Sequence, residues 1–283
     1  MSYKKLLDDN IDNITPISYK HNYNNINDSI QRIFPESEFI TKKNKSPLNG
    51  NLKFTIRDKS EKFCIIFTII NDDLISVDEL TKCNSGSGTE LLHKVEQFAR
   101  EIGIFKIRLS DASKINTPCN VMVSLRILSI LTSGQSWYNK LGYVCEEQDE
   151  IDSHNEYIIQ MSFTDFIDTV HKIIKINYTN DLINFERLID ILRQEEIINF
   201  ESTVQKVFIK IKDMLKPGQH CLPDIEQHLV SLIMYIDMTN ILLSKTVLTK
   251  TLQHNGGKSK KQKRTKKQKR TKTNKFLRKK LKK

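Results

Sequence analysis

The stretch Cys83-Asn84-Ser85-Gly86-Ser87-Gly88-Thr89 leaves a segment that reads as a strand and enters one that reads as a helix. Glycines at alternate positions permit a tight path and let a ligand approach the backbone closely. The free N–H groups of a helix's first turn, at the positive end of its dipole, suit a phosphate or pyrophosphate. The same loop can equally do no more than join strand to helix, so its chemistry has to be judged from its flanks. A dinucleotide-binding fingerprint would place a third glycine at position 91, where the chain has Leu91. Asp111 follows the next strand, where a ribose-binding acid would lie, and that reading stays open at this point. Gly256-Gly257-Lys258-Ser259 is not a phosphate loop, because Leu252 stands where the earlier glycine is required.

Other reactive side chains offer less. Cys83 has no histidine nearby in sequence to activate it and reads as a small buried thiol. The five cysteines (Cys64, Cys83, Cys119, Cys145 and Cys221) form no CxxC pair, are odd in number and follow no hydrophobic leader. They read as free thiols in a reducing compartment. The seven histidines show no ligand spacing, so no metal site is expected. The most apolar late stretch, Leu229–Leu243, is interrupted by Asp237 and Asn240, too polar for a membrane span. A soluble intracellular protein is expected.

The elements that must position the glycine loop come next. Leu52–Ile56 and Lys62–Ile70 read as a β-hairpin, and Leu74–Leu80 as a third strand of an antiparallel meander. After the loop, Leu91, Leu92, Val95, Phe98 and Ala99 recur at helical spacing up to Gly103, and Ile104–Leu109 reads as a strand. Strand, loop, helix and strand make a βαβ unit with a parallel pair. Val121–Leu131 reads as a helix, and Trp137–Gly142 as a short helix closed by glycine. Tyr143–Cys145 and Tyr157–Phe163 read as a closing hairpin. From Thr164 to Gln253 the pattern is helical, with segments at Phe166–Ile176, Leu182–Leu192, Thr203–Leu215 and Ile225–Leu243. Ahead of all this, residues 1–50 suggest a strand at Ile14–Tyr19 and a helix at Ile26–Ile33, stopped by Pro35. The expected organisation is an N-terminal segment (1–50), an α/β (α+β) domain (51–163), a helical region (164–254) and a basic tail (255–283).

The flanks make the loop more specific. Ser85-Gly86-Ser87-Gly88 matches both glycines of the coenzyme A loop pattern Gln/Arg-x-x-Gly-x-Gly/Ala, with Cys83 at the first position. Tyr138-Asn139-Lys140-Leu141-Gly142-Tyr143 fits the pattern Tyr-x-x-x-Gly-Phe/Tyr. In this order, with the meander before them, these elements resemble the GNAT acetyltransferase superfamily. Gly134–Tyr143 and Leu109–Ser113, with the Lys/Arg tail, are similar to GNAT-like proteins of large eukaryote-infecting DNA viruses. The interval from Leu109 to Tyr138 is longer than the family's, which implies an insertion at Lys114–Leu131. Leu131 stands where many members carry an asparagine.

The resemblance implies a mixed sheet whose two parallel strands splay apart to take acetyl-coenzyme A as cosubstrate. Glu79, Leu80, Thr81 and Lys82 would line the pantetheine arm, and Asn84, Ser85, Gly86, Ser87, Gly88 and Thr89 the pyrophosphate. Tyr138 would protonate the leaving thiolate. Asp111, Glu79 and Asp78 are the candidate bases. Asp111 also reads as a turn or cap residue in Asp-Ala-Ser, and Trp137 as a core residue.

The formal charge is +11, but Lys258–Lys283 holds sixteen of the 45 basic residues and no acid. The other 29 face 34 acids, so the remainder of the chain is near −5. Lys260–Thr265 and Lys266–Thr271 are two copies of KKQKRT. Such a segment cannot bury a core and is expected to be disordered. Residues 258–283 are expected to bind nucleic acid or acidic protein without sequence preference. Two functions are thus expected as alternatives: an acetyl-coenzyme A-dependent N-acetyltransferase acting on an amine, or an inactive GNAT-fold scaffold associated with virions. Its expected setting is the host cytoplasm, the nucleus or the virion.

Overall fold

The computed structural model describes residues 23–35, 37–43, 51–60, 62–70, 73–81, 87–245 and 247–253. The expected strand at Ile14–Tyr19, most of the glycine loop (82–86) and the basic tail lie outside them. The chain up to Leu252 forms one unit, of mixed α/β architecture.

Its first part is built on a six-stranded sheet. Strands β1 (Glu38–Lys43), β2 (Leu52–Arg57), β3 (Phe63–Ile70) and β4 (Leu74–Leu80) follow one another antiparallel. β5 (Lys106–Ser110) then runs parallel to β4, and the edge strand β8 (Val247–Thr251) is antiparallel to β5. Between β4 and β5 the chain crosses over through α2 (Gly88–Glu101), as the βαβ pattern requires. The strands alternate as half-buried strands must. Leu52, Phe54, Ile56, Ile65, Phe67, Ile69, Ile75, Val77, Ile107, Leu109 and Leu248 are all buried. They share one core with Leu91, Leu92, Val95 and Phe98 of α2 and with Ile26, Ile30 and Ile33 of α1 (Tyr23–Ile33). Phe54, Phe67 and Phe98 form its aromatic centre, with ring centroids 5.2–6.1 Å apart.

The second core is helical. A small hairpin, β6 (Lys114–Asn116) and β7 (Met122–Ser124), leads into α3 (Leu125–Ser133). After α4 (Trp137–Lys140) come α5 (Gln148–Gln160), α6 (Phe163–Asn177), α7 (Leu182–Gln194), α8 (Val204–Met214) and α9 (Pro223–Thr239). α3 packs with α5–α9 around Leu128, Leu131, Phe163, Phe166, Phe185, Phe208, Leu229 and Leu232, all fully buried. The four helices expected after Thr164 are all present.

Several expectations are corrected. Tyr157–Phe163 is not a strand: 157–160 ends α5, whose buried Ile151, Asn155, Ile158 and Ile159 recur at helical spacing. Tyr143–Cys145 contributes a single bridge, Val144 to Thr249. The strand that closes the sheet is β8, taken from what reads as the end of the helical region. The helices are therefore inserted between Val144 and β8. α1, β1 and β8 all belong to the first part. Lys114–Leu131 is a hairpin followed by the start of a helix, where a helix alone was expected.

The thiols are corrected too. Cys119, beside the β6–β7 turn, is disulfide-bonded to Cys221 ahead of α9. Cys64 is disulfide-bonded as well, and Cys145 is the free cysteine among the described residues. The same turn is held by Glu226 of α9, whose carboxylate accepts from the Thr117 hydroxyl and from the Cys119 N–H at 3.1 Å. A chain that stitches a hairpin loop to a helix 102 residues away reveals that pairing only when folded.

Candidate functional site

The site forms where β4 and β5 part. Their last paired residues are Val77 and Leu109. At the same level β4 bulges: Ile66 pairs Glu79 and Phe67 pairs Val77, leaving Asp78 as the extra residue. A bulge bends its strand, so Asp78–Leu80 continue against β3, and among the described residues no strand pairs with their other side. Thr81 still donates its N–H to Cys64 O at 2.9 Å. β5 ends in a tight turn in which Ala112 N–H donates to Ser110 O at 3.0 Å, with Asp111 at its apex.

The carboxylate of Asp111 is buried at 2% exposure. Its Oδ1 accepts from the Ser113 hydroxyl at 2.9 Å, as the turn reading of Asp-Ala-Ser requires. Its Oδ2 has no partner among the described residues. A buried carboxylate oxygen left unpaired costs about 1–3 kcal/mol or more, and so marks a place where polar company is due. Close by, Tyr138 is buried at 6% exposure, and its hydroxyl makes no hydrogen bond among the described residues. Burial first, and the negative charge of Asp111 second, push its pKa up to about 12. The phenol therefore stays protonated throughout the physiological range, as a proton donor must.

Tyr138 is held there by the short helix α4. Ser136 caps α4, accepting from Asn139 N–H at 3.3 Å while Asn139 Oδ1 accepts from Ser136 N–H at 3.2 Å. Asn139 Nδ2 also donates to Tyr143 O and to Gln148 Oε1. Beyond it, Gly142 has a φ of +89°, the left-handed conformation that suits glycine. Tyr143 then turns inward, its hydroxyl donating to Glu96 of α2 at 3.2 Å. Burial, then the Glu96 charge, raise its pKa well above the ordinary tyrosine range.

The glycine loop delivers the start of α2. Ser87 is the cap: its hydroxyl accepts from Glu90 N–H at 3.3 Å, and Glu90 Oε2 accepts from Ser87 N–H at 2.6 Å. This reciprocal bonding lowers the Glu90 pKa. The N–H groups of Gly88 and Thr89 keep no partner among the described residues. Among the described residues two of these donors are thus open and two are capped, with a carboxylate in the same turn. The glycine at 88 has a further reason. A Cβ there would stand 3.1 Å from Trp137 Cη2 and 3.5 Å from Leu80 Cδ2.

The expected site residues thus divide. Tyr138, Asp111, Leu80, Thr81, Ser87, Gly88 and Thr89 lie around the end of the parallel pair. Glu79 is exposed on β4 and its carboxylate is unpartnered among the described residues. Asp78 is committed elsewhere, accepting from Thr68 Oγ1 at 2.8 Å with Lys53 at 3.7 Å. Lys82, Asn84, Ser85 and Gly86 lie outside the described residues. Two participants were missed. Glu90 was readable from the Ser-x-x-Glu spacing. The position of Trp137 over Gly88 had no local signal.

An open cavity of about 810 Å³ lies away from this place, along β8, lined by Lys106, Gly142, Cys145, Glu147, Lys245 and Thr249 among others. Burial pushes the Cys145 thiol up, which makes it a poor nucleophile. Among the described residues no cluster of His, Cys, Asp and Glu could hold a metal, and no helix is long and apolar enough to cross a membrane. Compared with protein-family models, curated proteins and solved structures, the chain has no match.

Proposed function

We propose that the chain is an acetyl-coenzyme A-dependent N-acetyltransferase of the GNAT type, acting on an amine. One observation carries the reading: the parallel strands part at the level where the buried Asp111 Oδ2 has no hydrogen-bond partner among the described residues, with Tyr138 near enough for the Asp111 charge to act on its phenol. Ligands of open α/β sheets gather at the carboxyl ends of such strands. The unpaired edge at Asp78–Leu80 would take the pantetheine arm by main-chain hydrogen bonds. The open N–H groups of Gly88 and Thr89, with the helix dipole, would take phosphate oxygens. In the reaction the amine nitrogen attacks the thioester carbon, the C–S bond breaks, and the sulfur takes the proton of Tyr138. The proton lost by the amine passes to Asp111, whose Oδ2 is free to accept it.

The test is release of free thiol from acetyl-coenzyme A in the presence of a panel of amines. Tyr138→Phe should lower turnover about a hundredfold or more while coenzyme A affinity is held, since only the proton donor is lost. Turnover within a factor of two of the wild type would remove Tyr138 from the role of acid.

A second reading has its own support. Glu90 puts a carboxylate into the turn that would meet a pyrophosphate, and Trp137 covers Gly88. Both suit a GNAT-fold scaffold that performs no acetyl transfer, associated with virions and binding polyanions through residues 258–283. Truncation after Asn255 would then abolish salt-sensitive retention on heparin or nucleic acid and spare the melting temperature.

A further inference from the structure

Cys221 lies in a segment, residues 216–224, in which every residue is exposed. It stands two residues ahead of Pro223, which begins α9. Its sulfur is bonded to that of Cys119, which is half-buried in the β6–β7 turn. The bond ties that turn to α9, and a second tie lies beneath it. This is the Glu226 carboxylate, 4% exposed, which accepts from the Thr117 hydroxyl and from Cys119 N–H at 3.1 Å. The turn is also closed on itself, by Thr117 N–H to Val121 O at 2.9 Å and Val121 N–H to Thr117 Oγ1 at 3.0 Å. The exposed bond thus joins two segments that other polar contacts already hold together.

We propose that Cys119–Cys221 is a thiol–disulfide exchange site, opened and closed by thiols while the chain stays folded. Exposed disulfides are the ones that exchange, because a thiolate has to reach a sulfur. A thiolate of a small dithiol attacks Cys221 Sγ. The S–S bond breaks, and its electron pair leaves on Cys119 Sγ, which takes a proton from water. The reagent's second thiolate then attacks the reagent sulfur of the mixed disulfide, and Cys221 departs as a thiolate. The reagent is thereby oxidised to its own disulfide, and the protein gains two thiols. Cys221 suits the leaving role, since the positive end of a helix dipole favours a thiolate ahead of its first turn. With the bond open, Glu226 keeps Cys119 at its station, so the two sulfurs stay placed to rejoin. The part set free is the exposed segment ahead of α9, residues 216–222.

The test uses the full-length protein in native buffer. It is treated with dithiothreitol, alkylated with iodoacetamide and mapped by peptide mass, while circular dichroism is followed in parallel. The expected result is alkylation of Cys119 and Cys221 with the helical signal retained. Oxidised glutathione should then restore the bond, passing through an adduct on Cys221. Restoration should slow about tenfold in Glu226→Ala, where Cys119 loses its anchor, and less in Glu226→Gln, which keeps an acceptor for Cys119 N–H. Glu226→Gln also guards against a loss of folding in Glu226→Ala. Alkylation that appears only as the helical signal collapses would overturn the proposal and leave a structural cross-link. An adduct on Cys119 alone, or restoration in both variants as fast as in the wild type, would overturn it as well.

Discussion

Lys250 donates to the buried carboxylate of Glu96 at 2.7 Å across 154 residues of sequence. The same ammonium donates to Leu141 O at 2.8 Å and lies 5.3 Å from the centre of the Tyr143 ring. Glu96 belongs to α2, Leu141 closes α4, and Lys250 sits on β8. One cation therefore ties the helix that begins at the glycine loop to the helix that carries Tyr138, through the strand that closes the sheet. Arg100 and His93 stand 3.6 Å from the other Glu96 oxygen. The chain returns from its helical insertion to complete this cluster, guided by Asn155, which exchanges two hydrogen bonds with Leu243 at 2.8 and 3.0 Å.

Removing one partner of a buried ion pair leaves the other uncompensated. Lys250→Met should therefore cost about 3 kcal/mol of stability, read as a lower urea midpoint. Glu96→Gln combined with Lys250→Met should recover part of that loss, so the double-mutant cycle should show coupling. A single-variant loss below about 0.5 kcal/mol would mean that the cluster does not hold α2 to β8.

Reduction should weaken the protein. The Cys119–Cys221 bond closes a loop of about a hundred residues, and such bonds typically contribute about 2–4 kcal/mol by restricting the unfolded chain. Dithiothreitol should lower the melting temperature of the wild type, and a Cys119→Ser, Cys221→Ser variant should lose much of that sensitivity. Peptide mapping without reduction should recover the two cysteines cross-linked. Free thiols at both positions in the native protein would contradict the pairing.

The raised Tyr138 pKa has a signed consequence for alkaline stability. The unfolded chain releases this proton near pH 10.0 and the folded chain at about 12. The folded state binds the extra proton between those values, so the contribution is fully present below pH 10 and is lost as pH rises through 12. Its size is on the order of 2 kcal/mol. Tyr138→Phe should accordingly flatten the fall of the urea midpoint between pH 10 and pH 11.5. An unchanged slope would mean that Tyr138 ionises as an exposed phenol does.

What was legible beforehand follows from how local each signal is. β2, β3 and β4 alternate apolar residues over adjacent segments, and α2 and α6–α9 carry clear helical periodicity, so all of these are readable from short windows. β8 is five residues long, reads Val-Leu-Thr-Lys-Thr, and follows a hundred residues of helix. Nothing local says that it belongs beside Arg108. α5 was misread because Tyr157-Ile158-Ile159 resembles a buried strand, whereas Ile151, Asn155 and Ile158 show the helical face only over three turns. At the site, Tyr138 and Asp111 sit at the ends of elements that the motif spacing locates, and the Asp111 charge acts on the Tyr138 phenol. The unpaired state of Asp111 Oδ2 and the indole over Gly88 are products of tertiary packing, and residue types alone cannot express them.

The claim on which the functional reading stands is that the cleft at the end of β4 and β5 binds acetyl-coenzyme A. Its most direct measurement is the melting temperature of the full-length chain with and without that ligand. A ligand present at a hundred times its dissociation constant stabilises the folded state by about 2.7 kcal/mol, enough to raise the melting temperature by a few degrees. The account predicts such a rise with acetyl-coenzyme A and with coenzyme A. A melting curve unmoved at millimolar concentrations of both would contradict it and leave the scaffold reading in its place.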